Sequence, residues 1–171
     1  LDLSAVHDPI RTELEDAFHE VMDREWFIRG QAGIDFEKVY AKYCGVNYCV
    51  GVGNGLEAIR LILMACDIGK GDEVIVPANT FIATVLAITQ VGATPVFVDA
   101  DVTTYNIDVF KIEKAITDKT KAIIAVHLYG RLAEMDKICS LAKKYDLRVF
   151  EDAAQAHGAR KKNNRAGSFS D

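Results

Sequence analysis

The run EDAAQAHG at residues 151–158 places two carboxylates, an amide and an imidazole directly after the apolar stretch LRVF at 147–150. If that stretch is a buried strand of a parallel sheet, these groups fall just past its carboxyl end, where open α/β sheets hold their ligands. A carboxylate there can keep a proton on a ring nitrogen, and an amide three residues on can hydrogen-bond a neighbouring ring substituent. Asp152 and Gln155 have that spacing. The competing use of Asp152 is as the cap of a following helix.

A second candidate is GVGNGLEA at 51–58, a glycine-rich turn before a helical pattern. Bare N–H groups at a helix N-terminus bind phosphate, because they lack helical partners and the helix dipole favours an anion. Counted from Gly53 the run also fits GxGxxA, the looser dinucleotide fingerprint, which makes a Rossmann-type nucleotide-binding module the main rival. That fingerprint expects an acid near the end of the next strand, yet Asp72 and Glu73 precede Val74-Ile75-Val76. A purely structural turn also remains open. In PANTFIAT, 77–84, Phe81 near a helix start either stacks on a flat heteroaromatic ring or belongs to the core, with Asn79 and Thr80 as polar neighbours. Asp99 and Asp101 imitate a metal site without a third ligand nearby, so no metal is expected. His127 ends a strand pattern either beside the site or as a hydrogen-bonded structural histidine. A phosphate cradle, an aromatic face and a carboxylate with an amide together suit a planar, phosphorylated N-heterocycle, and pyridoxal 5'-phosphate fits best. Its pyridine nitrogen works as an electron sink when protonated, and Asp152 would hold that proton with a bond of roughly 1.5–3 kcal/mol.

These residues need a scaffold, and the hydrophobic pattern supplies one. Ile10, Leu14, Phe18, Val21 and Met22 recur at helical spacing after His7-Asp8-Pro9. Phe36, Val39, Tyr40 and Tyr43 share a face of a second helix ending at Gly45. Residues 1–45 therefore read as an N-terminal helical arm ahead of an α/β core. From 46 to 171, strand patterns at 48–52, 73–76, 95–98, 121–126 and 147–150 alternate with helical ones at 54–66, 80–91, 108–116 and 134–145. Such alternation predicts an α/β fold, a mostly parallel sheet with helices on both faces. The 171 residues suffice for a sizeable core. A net charge of −5 with interspersed signs disfavours nucleic acid and anionic membranes as partners. The basic run at 160–165 reads as a solvated turn. Four cysteines without metal spacing predict a reducing, cytoplasmic setting, and with no apolar stretch of about 18 residues and no leader pattern, no membrane span or targeting segment is expected. The missing initial Met and the stop after Gly167-Ser168-Phe169-Ser170 lead us to expect a longer parent protein.

In this order the motifs resemble the DegT family of pyridoxal-phosphate-dependent sugar-nucleotide aminotransferases. The resemblance runs through Phe27-Ile28-Arg29-Gly30, VGVGNGLEAI, GDEVIVPANTFIAT, GATPVFVD, TYNID, TKAIIAVHLYG, EDAAQAHGA and the final GSFSD, essentially the whole chain. It implies part of the large domain of a fold-type I aminotransferase that works as a homodimer. Position by position, it implies Asp152 as the pyridinium partner, Gln155 as the contact to the ring oxygen and Phe81 as the stacking residue. Asn54, Gly55 and Leu56 would form part of the phosphate cradle, and His157 would lie near the cofactor. The family's Schiff-base lysine falls shortly beyond Asp171, so the 171-residue chain alone is expected to be inactive. The implied parent reaction moves an amino group from an amino acid, commonly glutamate, to a nucleotide-linked keto sugar. The chain is most similar to the branch that aminates C-3 of dTDP-3-keto-6-deoxyhexoses. A sugar dehydratase relative, in which histidine replaces the lysine, is the alternative within the fold.

Overall fold

The computed structural model of the chain describes residues 2–170. It divides into two compact units, one formed by the chain up to Tyr43 with Asn47–Gly51, the other by Cys44–Val46 with the chain from Val52 onward. The first unit is helical. A short helix α1 (Ser4–His7) and a 3-10 turn (Asp8–Ile10) lead into α2 (Arg11–Arg24). Pro9 sits in the 3-10 turn, where its missing N–H costs nothing. Leu14, Phe18 and Met22 leave an exposed apolar stripe along α2. Helix α3 (Gln31–Cys44) stacks Phe36 on Tyr40 at 5.2 Å and Tyr40 on Tyr43 at 6.0 Å, and Gly45 ends it at φ +80°, a left-handed position that glycine tolerates.

One predicted strand does not form. Residues 48–52 are irregular, with Tyr48 86% and Val50 76% exposed. A strand needs a neighbour for its backbone groups, and among the described residues none pairs with this run. The Gly51 N–H instead donates to Glu37 Oε1 at 2.7 Å.

The second unit is the α/β body. Helix α4 (Gly55–Ala65) precedes β1 (Glu73–Pro77), α5 (Ile82–Gln90), β2 (Thr94–Val98), α6 (Val109–Ala115), β3 (Thr120–Val126), α7 (Met135–Tyr145) and β4 (Arg148–Asp152). The strands form a four-stranded sheet in the order β2-β1-β3-β4, every pairing parallel. A short antiparallel hairpin, β5 (Arg160–Lys161) with β6 (Asn164–Arg165), follows in the basic run. The core lies in two layers because side chains alternate along each strand. Val74 and Val76 of β1 with Ala122, Ile124 and Val126 of β3 meet Leu63 of α4 and Ile88 of α5. Ile75 with Ile123 and Ala125 meets Ile112 of α6 and Met135, Ile138 and Ala142 of α7 on the other face. Each fully buried Ile contributes about 1.5–3 kcal/mol of transfer free energy. Helix α5, sequence IATVLAITQ, is rich in β-branched residues with poor helix propensity. Tertiary burial of Thr84, Ala87 and Ile88 holds it.

This order decides where a ligand goes. The connection from β1 moves outward to β2, and the next one crosses back over β1 to β3. The connections therefore diverge at the carboxyl ends of β1 and β3, a topological switch point where such sheets bind ligands.

Candidate functional site

Glu151 and Asp152 are the last two residues of β4, not residues beyond it. Consecutive strand residues face opposite sides, so the two acids serve different layers. Asp152 pairs in register with Val126, and the His127 N–H donates to the Asp152 carbonyl at 2.9 Å. On the α5 side, Thr84 Oγ1, fully buried, donates to Asp152 Oδ2 at 2.9 Å, and the Ala154 N–H donates to Oδ1 at 3.2 Å. The Thr84 hydroxyl has one proton, spent on the carboxylate, so Thr80 Oγ1 must donate across the 2.9 Å Thr80–Thr84 contact. Asp152 is thus aimed by a Thr80–Thr84 relay. It caps no helix, because turns follow β4.

Gln155 is tied to the exit of β3. Its Oε1 accepts from the Tyr129 N–H at 3.4 Å and its carbonyl from the Gly130 N–H at 2.9 Å. Asn106, 2% exposed, braces the same exit by accepting from the Leu128 N–H and donating to the Arg131 carbonyl, both at 3.0 Å. Asn79, after β1, donates to the Tyr105 carbonyl at 3.1 Å. The loops behind β1, β2, β3 and β4 are therefore cross-tied at one edge of the sheet. Tyr105 and Tyr129 sit in left-handed conformations at φ +61° and +56°, and their exposed rings meet edge to face at 6.2 Å.

Phe81 does not join the core. It holds the N-cap position of α5 and is 70% exposed, so its ring is available at the β1 exit. Asn54 caps α4, its Oδ1 accepting from the Glu57 N–H at 2.9 Å, which leaves Gly55 and Leu56 to open the helix. Helix α4 rises about 16 Å and β1 about 17 Å, and a short turn takes the end of α4 to the start of β1. The N-terminus of α4 therefore lies level with the strands' carboxyl ends. Asn54, Gly55, Leu56 and Phe81 reach this edge by topology, whereas Asp152 and Gln155 reach it through hydrogen bonds. Residue Glu73 opens β1, its carboxylate bonded to Thr117 Oγ1 at 2.5 Å, at the edge opposite to where a dinucleotide's ribose partner would stand.

The acids that imitated a metal site have other partners. Asp101 Oδ1 accepts from Thr103 Oγ1 and from the N–H groups of Thr103 and Thr104, which lower its pKa to about 2. Asp99 faces Lys111 Nζ at 3.4 Å. Lys161 of the hairpin places its Nζ 3.0 Å from Asp136 in the first turn of α7, so it has a partner of its own. His157 is exposed beside Ala156.

Glu151 was not assigned a role from its sequence. Its side chain is 2% exposed, and its Oε2 meets Nε2 of the fully buried His127 at 2.9 Å. The Ala133 N–H donates to His127 Nδ1 at 3.1 Å, which places the ring proton on Nε2, pointing at Glu151. Gly167, Phe169 and Ser170 N–H groups also converge on this carboxylate, at 2.8, 2.7 and 3.1 Å. Burial pushes its pKa up, but the bonds from His127 and these amides outweigh it and hold the carboxyl below its ordinary value. His127 is thus a structural histidine. Thr84, Asn106 and Glu151 carry no local sequence signal of their roles, because their partners lie 68, 22 and 16 residues away.

Comparison with known proteins agrees with this architecture. A dTDP-3-amino-3,6-dideoxy-alpha-D-galactopyranose transaminase of Aneurinibacillus thermoaerophilus is 53% identical over 171 residues, covering 100% of this chain and 47% of that protein. The crystal structure of Streptomyces venezuelae DesV in complex with a ketimine intermediate superposes with a TM-score of 0.94 at 43% identity, over 98% of this chain and 45% of that one. A GDP-4-keto-6-deoxymannose-3-dehydratase structure, with a trapped PLP-glutamate geminal diamine, superposes at 0.85 and 34% identity over 91% of this chain and 42% of that one. The chain spans about half the length of these relatives. The profile of the DegT/DnrJ/EryC1/StrS aminotransferase family matches residues 8–171, and the chain belongs to that family.

Proposed function

We propose that this chain is part of a pyridoxal-phosphate-dependent aminotransferase that moves an amino group from an amino acid, glutamate by preference, to C-3 of a dTDP-linked 3-keto-6-deoxyhexose. The observation that carries the reading is the Asp152 carboxylate, held by Thr84 and the Ala154 N–H at the carboxyl end of β4. An anion oriented in this way suits a protonated ring nitrogen. The exposed Phe81 ring offers a stacking face, and the Asn54-capped N-terminus of α4 offers N–H donors to a phosphate. The donor set therefore fits pyridoxal phosphate, which when bound supplies an electron sink for carbanionic chemistry at an amino acid's α-carbon.

Within that chemistry the residues divide the work. Asp152 holds the ring proton, and the Thr80–Thr84 relay keeps the carboxylate aimed. Gln155, anchored by Tyr129 and Gly130, would offer its amide N–H to a ring substituent. The backbone N–H groups of Gly55 and Leu56, at the start of α4, would bind the phosphate. The lysine that takes and returns the substrate's α-proton is proposed to lie in the full-length protein beyond Asp171. The protein is proposed to act as a cytoplasmic homodimer, and the exposed apolar stripe on α2 supports the dimer.

Similarity to a 3-dehydratase favours a second reading, loss of a ketone-adjacent hydroxyl without net amination. The test is the full-length protein incubated with pyridoxal phosphate, glutamate and either dTDP-3-keto- or dTDP-4-keto-6-deoxyhexose, with products read by mass. A 3-amino sugar nucleotide with stoichiometric 2-oxoglutarate supports transamination. A deoxygenated keto sugar, or binding of NAD without a visible cofactor band, would overturn it.

A further inference from the structure

We infer that Glu151 is a positioning residue of the proposed site, fixing the segment at 167–170 against the strand end that bears Asp152; this rests on the transamination reading above. The carboxylate is buried and takes hydrogen bonds from His127 Nε2, from the N–H groups of Gly167, Phe169 and Ser170, and from Ser170 Oγ at 3.2 Å. Its only side-chain partner of comparable burial, His127, is itself held by the Ala133 N–H. The result is a continuous path from the α7 approach, through the ring and the carboxylate, into the backbone of Gly167, Phe169 and Ser170.

Asp152 is the next residue along the same strand and faces the opposite layer, where Thr84 holds it. Glu151 and Asp152 pair in register with Ala125 and Val126, so the backbone between them is fixed by the sheet. Position is therefore passed from the ring-holding carboxylate to the 167–170 segment through one rigid strand and one buried side chain. In the full-length protein, the polypeptide following Ser170 departs from this anchored point. On the reading above, the lysine proposed beyond Asp171 would be placed relative to the ring from the segment that Glu151 anchors. Five backbone and side-chain donors on one carboxylate exceed what a merely space-filling residue requires, and four of them belong to one short segment.

Replacement by glutamine keeps the shape but not the bonding. An amide carries one acceptor oxygen, so its NH2 must face either the Phe169 and Ser170 donors or the Gly167 and His127 donors. His127 can relieve part of this by moving its proton to Nδ1, but that proton then faces the Ala133 N–H. One donor–donor conflict is unavoidable. The experiment compares full-length wild type, Glu151→Gln and Asp152→Asn. Its readouts are amide hydrogen exchange at Gly167, Phe169 and Ser170, cofactor absorbance, and kcat and KM for the keto sugar nucleotide, at a temperature where all three are folded by circular dichroism. For Glu151→Gln the expected result is exchange faster by about tenfold or more at those amides and a kcat lower by about tenfold, the factor for one hydrogen bond to a charged group. The sugar-nucleotide KM should stay within about threefold, since the interaction lost is not one with bound sugar. Should Glu151→Gln not fold, Glu151→Asp, which keeps the charge but withdraws it, takes its place with the same readouts. Unchanged exchange, or unchanged kcat alongside an inactive Asp152→Asn, overturns the role of Glu151 and leaves the transamination reading standing. Full activity in both variants overturns the reading itself.

Discussion

Replacing Thr84 by Val isolates the support of Asp152. The two side chains are both β-branched and have nearly the same shape, so the volume filled in the α5 layer is preserved. What is lost is the 2.9 Å donation to Asp152 Oδ2 and the acceptor for Thr80 Oγ1. Thr84 is fully buried, whereas Asp152 is only half-buried and can recruit water on its open side. A bond to a charged group contributes about 1.5–3 kcal/mol, and partial rehydration of the carboxylate brings the expected destabilisation to the lower end, about 1–2 kcal/mol. That corresponds to roughly a five- to thirtyfold change in the folding equilibrium. Urea denaturation measures it directly, with the slope expected to match wild type because the exposed surface does not change. Thr80→Val should cost less, since it removes only the outer link of the relay. If Thr84→Val were as stable as wild type, or if Thr80→Val were the more damaging of the two, the relay would not be what holds Asp152.

Three further outcomes follow from the geometry. Asn106→Ala leaves the Leu128 N–H and the Arg131 carbonyl without partners inside the protein and should destabilise it by about 2–4 kcal/mol in urea, whereas a loss under 1 would show that water replaces it. The Asp101 carboxyl should titrate near pH 2 by NMR, and Thr103→Val, which removes the largest of its bonds, should move it up toward 3.8; an unchanged midpoint would contradict that attribution. Because the Glu151 pKa is lowered by folding, its bonds stabilise fully above the unfolded value of 4.5 and lose that contribution as pH falls through the folded one. The stability gap between wild type and Glu151→Gln should therefore shrink on acidification below 4.5, and a gap that widens would refute the assignment.

Much of this organisation was legible because it is periodic or local. Buried β-branched runs such as 121–126 mark strands on their own, and helices α4 and α7 show their apolar faces at 3.6-residue spacing. The cap at Asn54 and the left-handed turn at Gly45 are readable within a few residues. The failure at 48–52 has a different origin. The apolar content is strand-like, but strand formation depends on a partner, and no local pattern records whether one is present. The same limit hid half of the site. Asp152, Gln155 and Phe81 stood out as chemical types at strand ends, yet the residues that aim them do not. Thr84 looked like one more β-branched helix residue, and Glu151 looked like a companion of Asp152, although the sheet turns it to the opposite layer. Phe81 could be core or stacking ring by sequence, and only its exposure separates the two.

The central claim is that the Asp152 carboxylate serves a protonated cofactor ring, and the transamination rate of Asp152→Asn in the full-length protein tests it most directly. Asparagine keeps the size and can still accept from Thr84, losing only the 3.2 Å bond from the exposed Ala154 N–H, so the fold should survive, but it cannot hold the ring proton with a full charge. Loss of an interaction that matters most in the transition state should lower kcat by about a hundredfold or more while pyridoxal phosphate still binds. An Asn variant that forms amino sugar nucleotide from glutamate at the wild-type rate would contradict the account.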